Sequence, residues 1–220
     1  MAHLGHLTHG FHKQLIIPPN IDMVIHSGDE SNSKGHTNLE ELHNFLNWYS
    51  KLDIPYKILV AGNHSFSLEK RWVTKKELSD LGIIYLEHEY IEIEGIKIFG
   101  SPYTPTYGTW CFMKDRATIN RVWQHISDPV DILVLHGPPK GILDLAYNEN
   151  YLDKCGDNSL HKLIERVTPK LVLFGHIHDN EDNLNFGVFE RNGIIYSNAS
   201  AVKDGRFKDG IKNHGNILKI

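Results

Sequence analysis

Four apolar runs in this chain end in small residues followed by side chains that can bind metal ions, and this pattern most limits the possible folds. The runs and their polar ends occupy residues 21–29, 57–64, 131–137 and 171–178. Continuous apolar runs of this length are typical of buried strands in a parallel sheet. Because the carboxyl ends of parallel strands meet at one edge, we expect the polar ends to converge on one rim. The sequence therefore predicts a site for more than one metal ion there.

Composition places the chain among ordinary globular proteins. Its 220 residues are enough to bury a core, and 40% of them are hydrophobic and 23% charged. The net charge is −4 and the sequence has no basic run, so binding to a nucleic-acid polymer is not predicted.

The cysteines and the apolar runs bear on the compartment. Cys111 and Cys155 lack the spacing of a metal or redox motif, so they are interpreted as free thiols in a reducing environment. No stretch approaches the roughly 18 apolar residues that a membrane span requires. The first residues lack the basic and apolar regions of a signal peptide. These features predict a cytoplasmic protein that does not bind membranes.

Strand and helix patterns alternate along most of the chain. Buried strands are predicted at 21–27, 56–61, 131–136 and 170–174, short alternating strands at 83–86, 90–95 and 96–100, and tail strands on antiparallel edges at 188–190, 193–197 and 216–220. Helices are predicted at 72–81, 115–127 and 159–167, and from a cap at Thr37 or Asn38 to residue 49. The fold class is therefore α/β, with two mixed β-sheets packed as a sandwich and flanked by helices, in a single domain over residues 1–220.

The chain has 15 histidines in all, and their position in these patterns separates the candidate ligands from the rest. Most are expected to be solvated or hydrogen-bonded. The candidates stand at strand ends or glycine turns, and they are His9, His64, His136, His176 and His178. Asp29, after Gly28, is a turn residue or a carboxylate that bridges two cations. Asn63, between Gly62 and His64, offers an amide oxygen.

Taken together and in this order, these motifs resemble the calcineurin-like metallophosphoesterase superfamily. The stretches at 26–29, 62–64, 136–139 and 175–178 are most similar to its class III cyclic-nucleotide phosphodiesterase branch, which includes the mammalian metallophosphoesterase-domain proteins. The resemblance covers roughly residues 9–200. It implies a metal-dependent phosphoesterase that hydrolyses small phosphodiesters, cyclic nucleotides among them, with a metal-activated hydroxide.

The resemblance also implies a role for each motif residue. Asp29 would bridge two divalent ions, of Mn, Fe, Zn or a similar metal. One ion would be completed by Asn63, His136 and His176, and the other by His9 and His178. His64 would stabilise or protonate the departing alkoxide.

The first motif departs from the family pattern. The family has Asp-x-His-Gly at the end of a first strand, whereas this chain has leucine at position 7 in the stretch 7–10. Residues 1–6 also lack the usual apolar strand. His6 or His12 could substitute for the aspartate, although neither stands in its register. Either one metal centre is weak or the amino terminus is altered. The alternative function is thus a catalytically weakened metal- or nucleotide-binding module.

The long connection at 137–159 is predicted to form a wall of the substrate pocket, because it begins at the candidate ligand His136. Its alternative interpretation is a surface loop made rigid by prolines. Tyr147 and Tyr151 either stack on a base or pack on each other. The sequence does not indicate which phosphoester is the substrate.

Overall fold

Two β-sheets face each other in the computed structural model, and helices cover their outer faces. The structure describes residues 1–7, 10–148, 151–180, 183–202 and 210–219. The predicted α/β fold class, a sandwich of two mixed sheets flanked by helices, is confirmed.

The strands include both long central and short edge elements. They are β1 (Ala2–Leu4), β2 (Met23–His26), β3 (Tyr56–Val60), β4 (Ile83–Leu86), β5 (Glu89–Ile93), β6 (Ile96–Ser101), β7 (Thr104–Pro105), β8 (Met113–Lys114), β9 (Ile132–Leu135), β10 (Leu145–Asn148), β11 (Tyr151–Lys154), β12 (Leu171–Phe174), β13 (Gly187–Arg191), β14 (Ile194–Asn198) and β15 (Asn216–Ile217). The α-helices are α1 (Gly35–Tyr49), α2 (Phe66–Glu69), α3 (Lys75–Asp80), α4 (Ile119–Gln124) and α5 (Leu160–Val167), and a 3-10 helix spans Phe11–Gln14.

The first sheet has the order β15-β1-β2-β3-β4, and the second has the order β13-β14-β12-β9-β6-β5. Strands β1 to β4 are parallel, and so are β6, β9, β12 and β14. Antiparallel strands close the first sheet at β15 and the second at β5 and β13. Parallel central strands of both sheets therefore bring their carboxyl ends to rims that can share a site.

Apolar side chains fill three layers. Between the sheets, Ile25 and Ile58 of the first sheet pack in one cluster with Val134 and Leu173 of the second. Outside the first sheet, Leu42 and its neighbours on α1 pack against β2 and β3. Outside the second sheet, α4 and α5 cover β9 and β12. The resulting order is helix, sheet, sheet, helix.

The structure corrects the expectation that residues 1–6 form no strand. Strand β1 is short but buried, and it pairs with β2 in parallel and with β15 antiparallel. Its one polar side chain, His3, is accommodated because its ring nitrogens lie 2.7 Å from Ser197 Oγ and 3.0 Å from Ser27 Oγ. Hydrogen bonding thus allows a histidine in a strand position where apolar residues are expected.

Three further details differ from the sequence prediction. Helix α1 begins at Gly35 after the N-cap Lys34, so neither Thr37 nor Asn38 caps it. Strand β14 is an interior strand, because it pairs with β12 as well as with β13. A hairpin, β10–β11, occupies part of the segment that was predicted as a long connection. In the part of the chain that the structure describes, no helix has the length and apolarity to cross a membrane.

Candidate metal centre

Strand ends from both sheets bring three of the expected donors together. Asp29 follows β2 of the first sheet, whereas His136 and His176 follow β9 and β12 of the second. One donor atom from each lies within 4.8 Å of the other two. A carboxylate and two imidazoles at this separation can share a metal ion. Asn63, which follows β3, adds an amide oxygen 2.8 Å from His136 Nε2.

The His136 ring is oriented by its two nitrogens. Nδ1 lies 2.8 Å from the carbonyl oxygen of Ser27, to which it donates as N–H. Nε2 therefore points the other way, toward Asn63 Oδ1 and, at 3.4 Å, Asp29 Oδ2. A backbone acceptor on the far nitrogen is the usual way in which a ligand histidine is held in one tautomer.

Two glycines make the close approach of these strand ends possible. A Cβ at Gly28 would collide with the His136 ring and with Gly62, and one at Gly62 would collide with Asp29 and His136. Gly28 also has a φ of +104°, which disfavours any other residue. The glycines that precede Asp29 and Asn63 in the sequence are therefore needed to avoid steric clashes at this rim.

Three side chains of the site stand on backbone in the left-handed region. The φ angles are +51° at His6, +61° at Asp29 and +70° at His176. Such conformations are unfavourable for residues other than glycine, and they persist where the surrounding structure fixes them, which is often at functional sites.

Two further histidines meet beside Asp29. His178 Nε2 lies 2.9 Å from His6 Nδ1, and His6 Nδ1 lies 3.0 Å from Asp29 Oδ2. The sequence analysis placed His6 outside the register of the family aspartate, but the structure brings its side chain to Asp29 and His178. Its side chain is buried in the site, at 2% exposure.

Leu7 occupies a different environment from the one expected. The sequence placed it where the family has a metal-binding aspartate, but its side chain is fully buried in the apolar cluster with Leu42 and Phe45. At this point the backbone is left-handed rather than extended, with a φ of +51° at His6, and the His6 side chain lies against Asp29 while that of Leu7 lies in the core. The other candidate from this motif, His9, lies outside the described residues, and its assignment stays a prediction.

His64 stands at the mouth of the site. Its backbone N–H donates to Asp29 Oδ1 at 2.9 Å, and its ring Nδ1 lies 3.2 Å from the carbonyl oxygen of Asn32. With Nδ1–H donating to that carbonyl, Nε2 is the nitrogen left for chemistry. The ring packs on Trp110 with centroids 4.5 Å apart.

The side chain of Asn38, which the sequence interpretation took for a possible cap, connects the loops that carry Asp29 and His64. Its Nδ2 lies 2.9 Å from Ser31 Oγ and 2.8 Å from the carbonyl oxygen of His64, and its Oδ1 accepts from the backbone and hydroxyl of Ser67. A signal was present in the sequence, because position 38 falls on the same helix face as Leu42. A polar residue on an apolar face indicates a buried hydrogen-bond network.

The protonation states suit metal binding. Burial lowers the pKa of His176 to about 3 and that of His178 well below its ordinary value. Burial also acts on His136, but the charge and hydrogen bond of Asp29 outweigh it and raise its pKa. Burial opposes ionisation of Asp29, yet the neighbouring His136 and His64 hold its pKa well below the usual range. The site thus offers an ionised carboxylate at Asp29 and neutral imidazoles at His176 and His178, the forms that bind metal ions.

Nitrogen and oxygen donors of this kind fit divalent transition ions. Imidazole suits Zn, Fe, Ni and Cu, and carboxylate or amide oxygen also accepts Mn. The close-set donor atoms of Asp29, His136 and His176 therefore agree with the metal requirement that the sequence motifs imply.

A cavity of about 950 Å³ opens beside these residues. It is lined by Asp29, Asn63 and His176, by residues in the stretches 137–147 and 153–157, and by Tyr107 and Arg116. The segment that follows His136 thus lines this cavity, and the binding of a substrate there stays a prediction. Tyr147 lines the cavity as well, at 50% exposure.

Hydrogen bonds hold together the two ends of the hairpin β10–β11, which lies beside this cavity. Asp144 Oδ2 accepts from the backbone N–H groups of Gly141 and Gly156, and the Asp144 carbonyl accepts from Cys155. The backbone of Asp157 then donates to Pro138. The hairpin therefore leaves and rejoins the fold at nearly the same place.

Solved structures share this architecture. The crystal structure of TT1561 of Thermus thermophilus matches with a TM-score of 0.60 at 12% identity, over 90% of this chain and 88% of that one. At this identity the likeness shows the fold alone. The two facing sheets define a protein of the metallophosphoesterase fold.

Sequence comparison assigns the family. The family model described as calcineurin-like phosphoesterase matches residues 5–180, so the chain belongs to that family. Metallophosphoesterase domain-containing protein 1 of Homo sapiens is 30% identical over 208 residues, which cover 83% of this chain and 60% of the human protein. The Mus musculus protein of the same name matches to the same extent. The chain thus spans about 60% of the length of these relatives.

Proposed function

We propose that this protein is a metal-dependent phosphodiesterase that acts on small phosphodiesters. The observation that carries the proposal is the convergence of Asp29, His136 and His176, whose donor atoms lie within 4.8 Å of one another, with Asp29 and His176 lining a large cavity. Membership of the calcineurin-like phosphoesterase family supports the phosphoester part of the proposal.

Two divalent ions are proposed, with Asp29 between them. Asn63, His136 and His176 would hold one ion, and His178 with His9 the other. The ions, when bound, supply positive charge that neutralises the phosphate and activates water for attack. The protein residues hold the donors in place, since Ser27 fixes the His136 tautomer and the glycines let the strand ends approach.

His64 is proposed to give a proton to the leaving oxygen. Its Nδ1 faces the Asn32 carbonyl, so the proton to be transferred would be carried on Nε2. Its backbone N–H binds Asp29 Oδ1, which ties the position of the acid to that of the central carboxylate. A positioned acid lowers the barrier by protonating an alkoxide as it departs.

The surroundings of His64 favour a diester over a monoester. The ring lines the large cavity and also a second cavity of about 310 Å³, which includes Phe66, Lys34 and Lys70. Trp110 borders both cavities. A phosphodiester carries two substituents, and the proposal places one in each cavity, with the leaving one on the side of His64. Cyclic nucleotides remain one candidate class, and a cytoplasmic location stays a prediction.

Metal content and hydrolysis test this function together. The purified protein, dialysed and reloaded with Mn, Fe or Zn, is analysed for metal and assayed with bis(p-nitrophenyl) phosphate and p-nitrophenyl phosphate. Two metal equivalents with faster turnover of the diester support the proposal. One equivalent or none, without turnover, supports a weakened binding module instead. Preference for the monoester would overturn the diester assignment alone.

A further inference from the structure

The contacts of His6 differ from those expected for a residue that only supports a metal site. Its Nδ1 lies 3.0 Å from Asp29 Oδ2 and 2.9 Å from His178 Nε2. The two imidazole rings meet at nearly right angles, with centroids 3.8 Å apart. Three atoms that can each donate a lone pair to a cation are thus turned toward one another.

Backbone hydrogen bonds fix this register. The His6 N–H donates to the Gly28 carbonyl at 2.9 Å, and the Leu7 N–H donates to the Asp29 carbonyl at 2.8 Å. The end of β1 is therefore tied to the loop that carries Asp29. With Leu7 directed into the apolar core, His6 is the residue directed into the site.

We infer that His6 is a metal ligand, and that with Asp29 and His178 it forms a centre of two imidazoles and one carboxylate. This inference rests on the proposed two-metal function. In this arrangement, a neutral nitrogen of His6 takes the place of the carboxylate that the family has in this part of the chain. His6 thereby adds a ligand to the metal centre that the sequence predicts to be weak.

A purely supporting role for His6 fits the geometry less well. A supporting histidine would donate its N–H to Asp29 and turn its other groups away from the remaining ligand. Here the same Nδ1 that approaches Asp29 also approaches His178 Nε2, and one N–H cannot serve both an imidazole nitrogen and a carboxylate fully. A cation between the three atoms satisfies all of them.

The presence of a histidine ligand in place of an aspartate affects which metal ion the centre prefers. Imidazole favours Zn, Fe, Ni and Cu, whereas carboxylate and other oxygen donors favour Mg and Mn. With His6 as ligand, Asp29 is the only anionic donor among the described residues assigned to the two ions. The centre should therefore take Zn or Co in preference to Mn.

Metal stoichiometry tests His6 without reliance on activity. His6→Ala should lower the affinity for the second equivalent at least about 100-fold, because even loss of a residue that only supports a ligand costs 10–100-fold. The matched control is His12→Ala, since His12 is also buried near the amino terminus but packs on Phe45 and Trp48. Zinc binding is measured by titration calorimetry and by elemental analysis after dialysis.

A second variant keeps the test valid where alanine prevents folding. His6→Asp restores a carboxylate donor, so it should retain two equivalents when metal is present. It should shift the Zn-to-Mn occupancy toward Mn, by about tenfold or more, when the two ions compete at equal concentration. X-ray absorption of the zinc-loaded protein should show fewer imidazoles per zinc than in the wild type.

The outcomes separate the inference from the proposed function. Two equivalents in wild type and His12→Ala, with the second weakened in His6→Ala, support His6 as a ligand. Unchanged affinity for both equivalents in His6→Ala, with unchanged imidazole count in His6→Asp, overturns the inference but leaves the phosphodiesterase proposal standing. Absence of metal and of hydrolysis in the wild type overturns both.

Discussion

The two sides of the candidate metal centre are built in different ways. On one side, Asn63, His136 and His176 follow buried strands of four or five residues and stand next to glycines, and all three lie at the rim as expected. On the other side, the short strand β1 ends without a comparable motif, and His6 rather than Leu7 faces Asp29. Where only a glycine avoids a steric clash, the sequence shows which neighbouring residue faces the site. Where a strand ends without such a glycine, the sequence does not show which of two adjacent residues faces the site.

The largest expected effect comes from Asp29, which both sides share. Asp29→Asn keeps the shape but removes the negative charge between the proposed cations. Since that charge interaction is worth several kcal/mol, we expect the weaker ion to be lost and kcat to fall at least about 10³-fold. Steady-state kinetics and elemental analysis measure this. Asp128→Asn, at an exposed aspartate paired with Lys97, is the control. Retention of both ions and normal turnover would disprove the shared role of Asp29.

A variant of His64 tests the side of the metal centre whose residues follow glycine turns, and it removes no proposed metal ligand. His64→Ala should lower kcat about 10²–10⁴-fold and leave metal content unchanged, because a positioned acid is lost. The loss should be smaller for nitrophenolate, a leaving group that needs no proton. His43→Ala, at an exposed position on α1, is the control. An unchanged rate on a substrate with an alkoxide leaving group would remove His64 from the mechanism.

Leu7 tests the register at the end of β1. Leu7→Asp should destabilise the fold by about 3–5 kcal/mol, because it places an unpaired charge in the apolar core. It should not tighten metal binding. Leu7→Met, which conserves volume, should cost less than about 1.5 kcal/mol. Urea denaturation gives both values. A stable Leu7→Asp protein with tighter metal binding would show that position 7 faces the site.

The smallest effect concerns the pH dependence of strand β1. Burial lowers the pKa of His3 to about 3, whereas a histidine in water has a pKa of 6.5. Its contribution to stability is therefore complete above pH 6.5 and is lost as the pH falls toward 3, by up to about 1.4 kcal/mol per pH unit. Burial lowers the pKa of the neighbouring His26 similarly, so part of the slope remains in His3→Gln.

Free energies of unfolding measured from pH 7 to pH 5 check this prediction. The slope should be smaller in His3→Gln than in the wild type, and unchanged in His43→Gln. Equal slopes in all three proteins would show that His3 is not protonated on unfolding.

Much of the fold follows from the sequence because buried strands and amphipathic helices have distinct periodicities. Helix α5 lies within one residue of its predicted bounds, since its apolar residues recur on one face. Strand β1 escaped prediction because its stability comes from pairing with β2 and β15 and from the hydrogen bonds of His3. Those partners are distant in sequence.

The residues of the candidate metal centre also divide into those that the sequence predicts and those that it does not. Asp29, Asn63, His136 and His176 could be predicted because each follows a strand at a small residue or glycine turn. The helical pattern indicates that Asn38 is buried, but neither its partners nor those of His6 could be assigned from local pattern, since these depend on which loops come together in space. Asn38 reaches both His64 and Ser67, residues 26 and 29 positions away.

The fastening of the hairpin β10–β11 has a consequence for how this protein can change over evolution. Asp144 and the Pro138–Asp157 backbone bond hold its two ends together, so its length and composition can vary without moving His136 or Asp29. Substitutions on the described strands of the hairpin, for example at Tyr147 or Lys154, thus change the lining of the cavity while Asp29 and His136 keep their spacing. Under the proposed function, the residues that contact a substrate can therefore diversify independently of those that hold the metal ions.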